Sequence, residues 1–277
     1  MAVCNHVPMT DGGPRYERPP VRGTTLTVFF EPVENFDLSI INKLVQRWAE
    51  RFPALQQSPP SPRPSGLPSV NFFSGAGWPL PSVEQVASSL SRSISYQHDQ
   101  FSLAWSFDPE APDSSYPGFE NLSVELSTYF QHFADVIERL GDTPLKVQGC
   151  RCFYVNRFED IEGVDWLANA LSGWEGVAAK ERYSRADYIG FRLRKTTENP
   201  VLGTRRTALS ELDSGADTPT TQLDIDVVSL PLPQSKINTM GPTEAARILL
   251  NDAHTVLIET FQTSADNAMR ASWGVQP

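Results

Sequence analysis

The sequence contains few of the residues that cross-link a small domain or hold a metal ion. Of its 277 residues, only three are cysteines and four are histidines. Cys4, Cys150 and Cys152 are odd in number and irregularly spaced, so we expect no disulfide framework and a reducing compartment. No two histidines have metal-ligand spacing and no Cys-x-x-Cys occurs, so the sequence predicts neither a metal site nor a cofactor.

The chain also lacks a long apolar run and an excess of positive charge. No window approaches the roughly 18 uninterrupted apolar residues of a membrane span, and no signal peptide is recognisable. We therefore expect a soluble, cytoplasmic protein without membrane contact. Because 33 acidic residues outnumber 23 basic ones, the net charge is −10. That charge repels phosphate backbones and argues against nucleic-acid binding.

No catalytic motif is recognisable either. A hydrolase elbow, a P-loop and a dinucleotide fingerprint are all missing, which favours a non-enzymatic protein without deciding the matter. Cys150 and Cys152 would share one face of a strand, where two small core residues are favoured over a redox pair. Asp224 and Asp226 alternate with apolar residues, so a solvated strand face is favoured over acid/base chemistry or a cation site.

The order of predicted elements is the same in both halves of the chain, which suggests an internal duplication. Each half reads strand, helix, three strands and a long amphipathic helix, which predicts an α+β fold. The predicted fold is a duplicated β-α-β-β-β-α unit with a curved antiparallel sheet and long helices on one face. It is analogous to the TATA-binding-protein saddle and to helix-grip folds. We expect an extended leader (1–22), a first repeat (23–142) that includes a Pro/Ser-rich loop (57–69), and a second repeat (143–277).

Individual elements follow from periodicity and turn residues. Apolar residues at helical spacing predict helices, and β-branched or alternating residues predict strands. The Pro/Ser-rich loop has too little apolar content to pack, so we expect it to be exposed. The predicted strands are 24–30, 70–73, 94–99, 101–107, 145–156, 187–195, 203–212 and 220–230; the predicted helices are 37–52, 119–140, 161–174 and one of about 28 residues from Gly241-Pro242.

Five polar and aromatic residues are candidates for a ligand site. If a hairpin turns near Asp99, then Gln97 and Asp99 share one strand face, and Trp105 stands on the facing strand. With Tyr116 nearby, an aromatic ring beside an acid and an amide could form the floor of a ligand pocket. His254 on the last helix would line the same cavity between sheet and helices. The alternative is a solvent-facing hairpin, with Trp105 in the core and His254 as a structural imidazole.

Several short segments together resemble one protein family. It is a sporadically distributed family of uncharacterised prokaryotic proteins, and the resemblance spans nearly the whole chain. The family leads us to expect Asn and Arg beside the tryptophan of the hairpin, where this chain has Ala104 and Ser106. The segments are Tyr16-Glu-Arg-Pro-Pro-Val21, Phe52-Pro53, Gln97-His-Asp-Gln-Phe101, Ala104-Trp105, Tyr116-Pro-Gly-Phe119, Tyr154-Val-Asn156, His254 with Phe261, and Trp273-Gly274.

Three functions remain open from the sequence, of which nucleic-acid binding on the saddle is disfavoured by the acidic charge and two others are favoured. The first is a non-enzymatic protein that binds a partner protein or regulates it. The patchy distribution of the family that the chain resembles suggests an accessory locus for it, such as a defence or toxin–antitoxin locus. The second is a small-molecule sensor or enzyme that uses the cavity between sheet and helices.

Overall fold

A nine-stranded antiparallel sheet carries most of the fold in the computed structural model. The structure describes residues 15–16, 19–67, 80–110, 115–141, 144–159, 188–215, 220–230, 240–264 and 274–276. The strands are β1 (Arg15–Tyr16), β2 (Val21–Phe30), β3 (Ala54–Ser58), β4 (Ser82–Val86), β5 (Arg92–Gln97), β6 (Gln100–Ser106), β7 (Val147–Glu159), β8 (Tyr188–Asn199), β9 (Thr204–Gly215), β10 (Thr220–Ser229) and β11 (Val275–Gln276).

The sheet is open and curved. Near its middle, β2 lies beside β7, although the two strands are far apart in the sequence. The strand order is β3-β4-β5-β6-β2-β7-β10-β9-β8, and β1 pairs separately with β11. β2 and β7 pair antiparallel, with Leu26 opposite Cys152. The edges of the described sheet are therefore β3 and β8.

Three helices are present in the described part of the chain: α1 (Leu38–Trp48), α2 (Phe119–Gly141) and α3 (Pro242–Ser264). The Asp37 side chain caps α1 by accepting hydrogen bonds from the backbone N–H groups of Ser39 and Ile40. Such a cap satisfies donors that have no partner within the helix. None of the described helices is both long and apolar enough to cross a membrane.

Alternation along β2 decides which sheet face the helices cover. Phe30 packs against Phe130 and Phe133 of α2, with ring centroids 6.2 Å and 5.4 Å away. Leu26 and Val28 point the same way as Phe30 and are fully buried. Burying side chains of this size stabilises the fold by about 1.5–3 kcal/mol each. The main core therefore lies between the sheet and the helices.

The predicted α+β fold with an antiparallel sheet is confirmed. α2 begins at Phe119 and α3 at Pro242, as their apolar periodicity predicted. The strands β3 and β4 were not predicted; every residue of β3 is exposed, so it lacks an alternating apolar pattern. The predicted strand 70–73 and the predicted helix 161–174 lie outside the described residues.

Candidate functional site

The five predicted ligand-binding residues fall into two groups on opposite faces of the sheet. In the β5–β6 hairpin Gln97 pairs with Gln100, and Trp105 lies five positions further along β6. Side chains an odd number of positions apart point to opposite faces of a strand. Trp105 therefore faces the helices, and Gln97 faces away from them. The structure does not form the expected common floor of Gln97, Asp99 and Trp105.

Trp105, Tyr116 and His254 do meet, in a group of rings between the sheet and the helices. The Trp105 and Tyr116 ring centroids are 5.4 Å apart, and the Tyr116 and Tyr154 hydroxyls are 2.6 Å apart. The His254 ring of α3 stacks on the Phe119 ring of α2, with ring centroids 3.7 Å apart and an interplanar angle of 3°. The centroids of the His254 and Tyr154 rings are 6.0 Å apart. We call these five residues the aromatic group.

The polar atoms of the aromatic group suit hydrogen bonding better than proton transfer. Burial raises the pKa of Tyr116 and of Tyr154, so both hydroxyls keep their protons at neutral pH. Thr24 stands between Trp105 and Tyr154 in the sheet register. A side-chain hydrogen bond between Thr24 and Tyr116 partly offsets the raised pKa of Tyr116. Within the described part of the chain, Trp105 Nε1 is buried without a hydrogen-bond partner, so this indole N–H is a donor that a neutral ligand could engage.

Gln97 and Asp99 instead bind the chain's own Pro-rich segment, residues 59–67, which we call the strap. Gln97 Oε1 accepts from the backbone N–H of Ser61 at 2.8 Å, and Gln97 Nε2 donates to the Ser61 carbonyl at 3.1 Å. Gln97 Nε2 also donates to Asp99 Oδ1 at 2.7 Å. Asp99 Oδ2 lies 3.2 Å from Arg63 Nη1 of the strap.

The Arg63 side chain of the strap is buried against the sheet. It is only 7% exposed, and the Asp99 side chain only 5%. Arg63 Nη1 also donates to the Phe30 carbonyl at 3.0 Å, and Nη2 donates to Gln148 Oε1 at 2.7 Å. Burial lowers the pKa of Arg63, and the Asp99 carboxylate opposes that shift. The guanidinium keeps its charge because an arginine pKa lies far above neutral pH.

The end of the strap packs on the sheet, which corrects the expectation that this segment cannot pack. Leu67 is buried with Phe29, Val228 and Leu230 in a small cluster separate from the main core. A Cβ added at Gly149 would lie 3.1 Å from Leu67 Cδ2 and 2.8 Å from the Ser229 carbonyl. Gly149 therefore lets the strap approach the β7 backbone. One leucine and one arginine anchor a segment that is otherwise mostly exposed.

Asp252 of α3 is a buried charge that sequence reasoning missed. Its carboxylate accepts hydrogen bonds from Asn199 Nδ2 at 2.9 Å, Thr204 Oγ1 at 2.8 Å and Ser229 Oγ at 3.0 Å. Arg206 Nη1 lies 3.1 Å away and completes a salt bridge. The sequence signal that could have revealed it is an aspartate inside the apolar stripe of a helix. Such a carboxylate would be buried, and a buried carboxylate requires hydrogen-bond or ionic partners.

Cys150 and Cys152 are core residues. Both are fully buried on the α3 side, where their thiols donate to the Ala246 and Leu250 carbonyls at 3.5 Å and 3.6 Å. Burial raises the pKa of both thiols, so neither provides a thiolate at neutral pH. This environment matches the interpretation as small core residues.

The buried thiols are expected to resist alkylation. In a Cys4→Ser variant, which retains only the two buried cysteines, we expect iodoacetamide at pH 8 to leave the folded protein almost unmodified. The unfolded protein should gain two adducts, because unfolding exposes both thiols and restores their ordinary pKa. Intact mass measured over time checks this. Equal rates in native buffer and in urea would contradict the buried placement.

The acidic pair on β10 lies on the face that points away from the helices. Arg151 binds Asp226 through two hydrogen bonds of 2.7 Å and 2.8 Å. Asp224 accepts from Gln222, and burial raises the pKa of Asp224. A shallow depression of about 370 Å³ adjoins Asp224, Glu211 and Arg192. The described residues contain no group of three or more His, Cys, Asp or Glu side chains that could hold a metal ion.

No protein-family model, curated protein or solved structure matches this chain. The resemblance to the sporadically distributed prokaryotic family therefore stays a prediction from short motifs.

Proposed function

We propose that this chain is a non-enzymatic binding or regulatory protein that recognises a partner protein on the sheet face pointing away from α1–α3. We call this surface the opposite face. Its described centre comprises half-buried side chains from neighbouring strands: Ser93 and Ser95 of β5, Ala104 of β6, Thr25 of β2, and Arg151, Phe153 and Val155 of β7.

The observation that carries this proposal is the position of Phe153 and Arg151. Both are partly exposed on β7, near the middle of the sheet, and the Arg151 guanidinium lies 5.1 Å from the Phe153 ring centroid. The neighbours Thr25 and Ala104 are small, which leaves the ring accessible. Aromatic and arginine side chains are enriched at the energetic centres of protein interfaces, and Asp226 holds Arg151 in place beside the ring.

An internal duplication accounts for this surface as one continuous saddle-like face. β2 is followed outward by β6, β5 and β4, and β7 is followed outward by β10, β9 and β8. α2 and α3 both have 23 residues, and their buried positions recur at the same distance from each helix start. Matching positions are Leu122 and Ala245, Leu126 and Leu249, Phe130 and Ala253, and Phe133 and Val256.

The wider role follows from the sequence. The resemblance to a patchily distributed family favours an accessory locus, including a defence or toxin–antitoxin locus. The acidic charge disfavours nucleic-acid binding, and the proposed location is the cytoplasm.

Ala104→Arg is expected to abolish capture of the partner, because a long charged side chain would cover the small centre of the opposite face. Val124→Arg is the matched control, since Val124 is 68% exposed on α2. Tagged wild-type protein from the native host should retain a stoichiometric protein, identified by mass spectrometry. Ala104→Arg should lose it, and Val124→Arg should keep it. Equal recovery with both variants would contradict a partner site on the opposite face.

The second candidate function is small-molecule binding, and a different observation favours it. Trp105 Nε1 is buried without a partner in the described part of the chain, and the Trp105 ring packs on Tyr116, whose hydroxyl is hydrogen-bonded to that of Tyr154. Buried polar groups normally have hydrogen-bond partners, so an unpaired indole N–H is unusual. A neutral ligand with hydrogen-bond acceptors would stabilise the wild-type protein but not a Trp105→Phe variant.

A further inference from the structure

We infer that the strap is a self-bound peptide, and that the groove beneath it binds an extended, arginine-bearing segment of the partner. This inference rests on the proposed partner-binding function, because the groove lies on the opposite face. The groove crosses one end of the sheet, and its residues are Gln97, Asp99, Phe29, Gln148, Gly149, Val228 and Leu230.

The side-chain amide of Gln97 binds the backbone of the strap and not one of the strap's side chains. One amide group accepts from the N–H of Ser61 and donates to the carbonyl of the same residue. Gln97 is 1% exposed, so both bonds are shielded from water. A primary amide that pairs with both polar groups of one residue can accept any residue except proline at that position. This contact would therefore hold a foreign peptide equally well.

The Arg63 pocket supplies the side-chain selectivity. Its acceptors are a carboxylate oxygen of Asp99, a backbone carbonyl of Phe30 and an amide oxygen of Gln148. They engage both terminal nitrogens of one planar guanidinium. A lysine ammonium is a point charge and cannot reproduce this fork geometry. The pocket therefore selects arginine in whichever segment occupies the groove.

The apolar end of the groove selects a leucine-sized side chain. Leu67 lies four positions after Arg63 and fills the site formed by Phe29, Val228 and Leu230. Gly66 provides the left-handed turn, with φ of 101°, that directs Leu67 toward the sheet. Burial of this side chain removes apolar surface from water and so stabilises the occupied groove.

Among the described residues of the strap, Ser61, Arg63 and Leu67 make the anchoring contacts, which makes replacement of the strap feasible. Pro59, Pro62 and Ser65 are exposed, and the prolines favour an extended chain at a low entropic cost. Because the strap is tethered, it competes with a free segment at an effective concentration of order millimolar. A partner segment should therefore bind far more tightly once the anchors of the strap are removed.

The test uses the full chain with Arg63→Ala and Leu67→Ala together, and a fluorescent peptide with the sequence of residues 58–67. Polarisation should show that the peptide binds the double variant at least about tenfold more tightly than the wild type. An Arg63→Lys change in the peptide should weaken binding strongly, and Gln97→Ala in the protein should weaken it as well. Circular dichroism confirms that each variant is folded.

The outcomes separate this inference from the proposed function. If the folded double variant does not bind the peptide, the strap is a structural loop and the inference fails. Should the double variant not fold, a chain with residues 60–67 replaced by a Gly/Ser linker of equal length gives the same readout. Ala104→Arg lies outside the groove and should leave peptide binding unchanged. Loss of partner capture in Ala104→Arg without any peptide binding would thus preserve the proposed function alone.

Discussion

Replacing Asp252 with alanine is expected to lower the free energy of unfolding by about 3–5 kcal/mol, because it leaves a mostly buried arginine without its counter-ion. The carboxylate is 2% exposed and the Arg206 side chain 15%. Asn199, Thr204 and Ser229 would lose an acceptor as well. Asp252 thereby joins α3 to the β8–β9 turn and to the end of β10. Urea unfolding followed by far-UV circular dichroism measures the change.

Two further variants sharpen the Asp252 result. Asp252→Asn keeps the size but replaces one acceptor oxygen with a donor, so we expect a smaller loss of about 1–3 kcal/mol. Glu259→Ala is the matched control, because Glu259 is an exposed acid on the same helix. We expect this control to change the free energy of unfolding by less than about 0.5 kcal/mol. An Asp252→Ala variant as stable as Glu259→Ala would show that the buried network contributes nothing to stability.

The helices could be predicted because their signal is local. Apolar residues at helical spacing locate α2 and α3 directly, and the start of each helix follows. Asp252 interrupts the stripe between Leu249 and Val256, yet its partners come from residues 23 to 53 positions away in the chain. Long-range partners of this kind leave no local pattern.

The candidate site was predicted only in part, because a two-residue hairpin turn puts Gln97 and Trp105 on opposite faces both in the expected register and in the observed one. We expected a hairpin turn near Asp99 and Gln100, which would put Gln97 and Asp99 on one strand face. Gln97 pairs with Gln100, so His98 and Asp99 form the turn instead. The expected turn would pair His98 with Phe101, which moves the pairing by two positions and leaves each side chain on the same face. The polar residues therefore meet the strap, while Trp105 meets Tyr116 and the helices.

The partner of Asp99 could not be predicted either. Arg63 lies 36 residues earlier, in a segment whose prolines indicated only an exposed loop. Its guanidinium is held by the Phe30 carbonyl of β2 and by Gln148 of β7, which belong to two different strands of the sheet. The strap therefore packs on strands that become neighbours only in the folded sheet, and composition alone does not reveal that arrangement.

Replacing Trp105 with alanine is expected to cost about 3–5 kcal/mol of unfolding free energy, whereas Trp105→Phe should cost less than about 1.5 kcal/mol. Trp105 is 1% exposed and packs on Tyr116, so truncation leaves a cavity between β6 and the segment before α2. Phenylalanine fills most of that space. It also removes an indole N–H that has no partner in the described part of the chain, so no hydrogen bond is lost.

The phenylalanine variant therefore separates packing from binding. Melting temperatures of wild type and Trp105→Phe are compared with and without a panel of neutral, acceptor-rich metabolites. If a metabolite stabilises the wild type but not the variant, the indole N–H donates to that ligand and the aromatic group is a binding site. If both proteins respond alike, Trp105 acts only through packing. A Trp105→Phe cost as large as that of Trp105→Ala would contradict the packing argument itself, since ring volume could not then explain the stability.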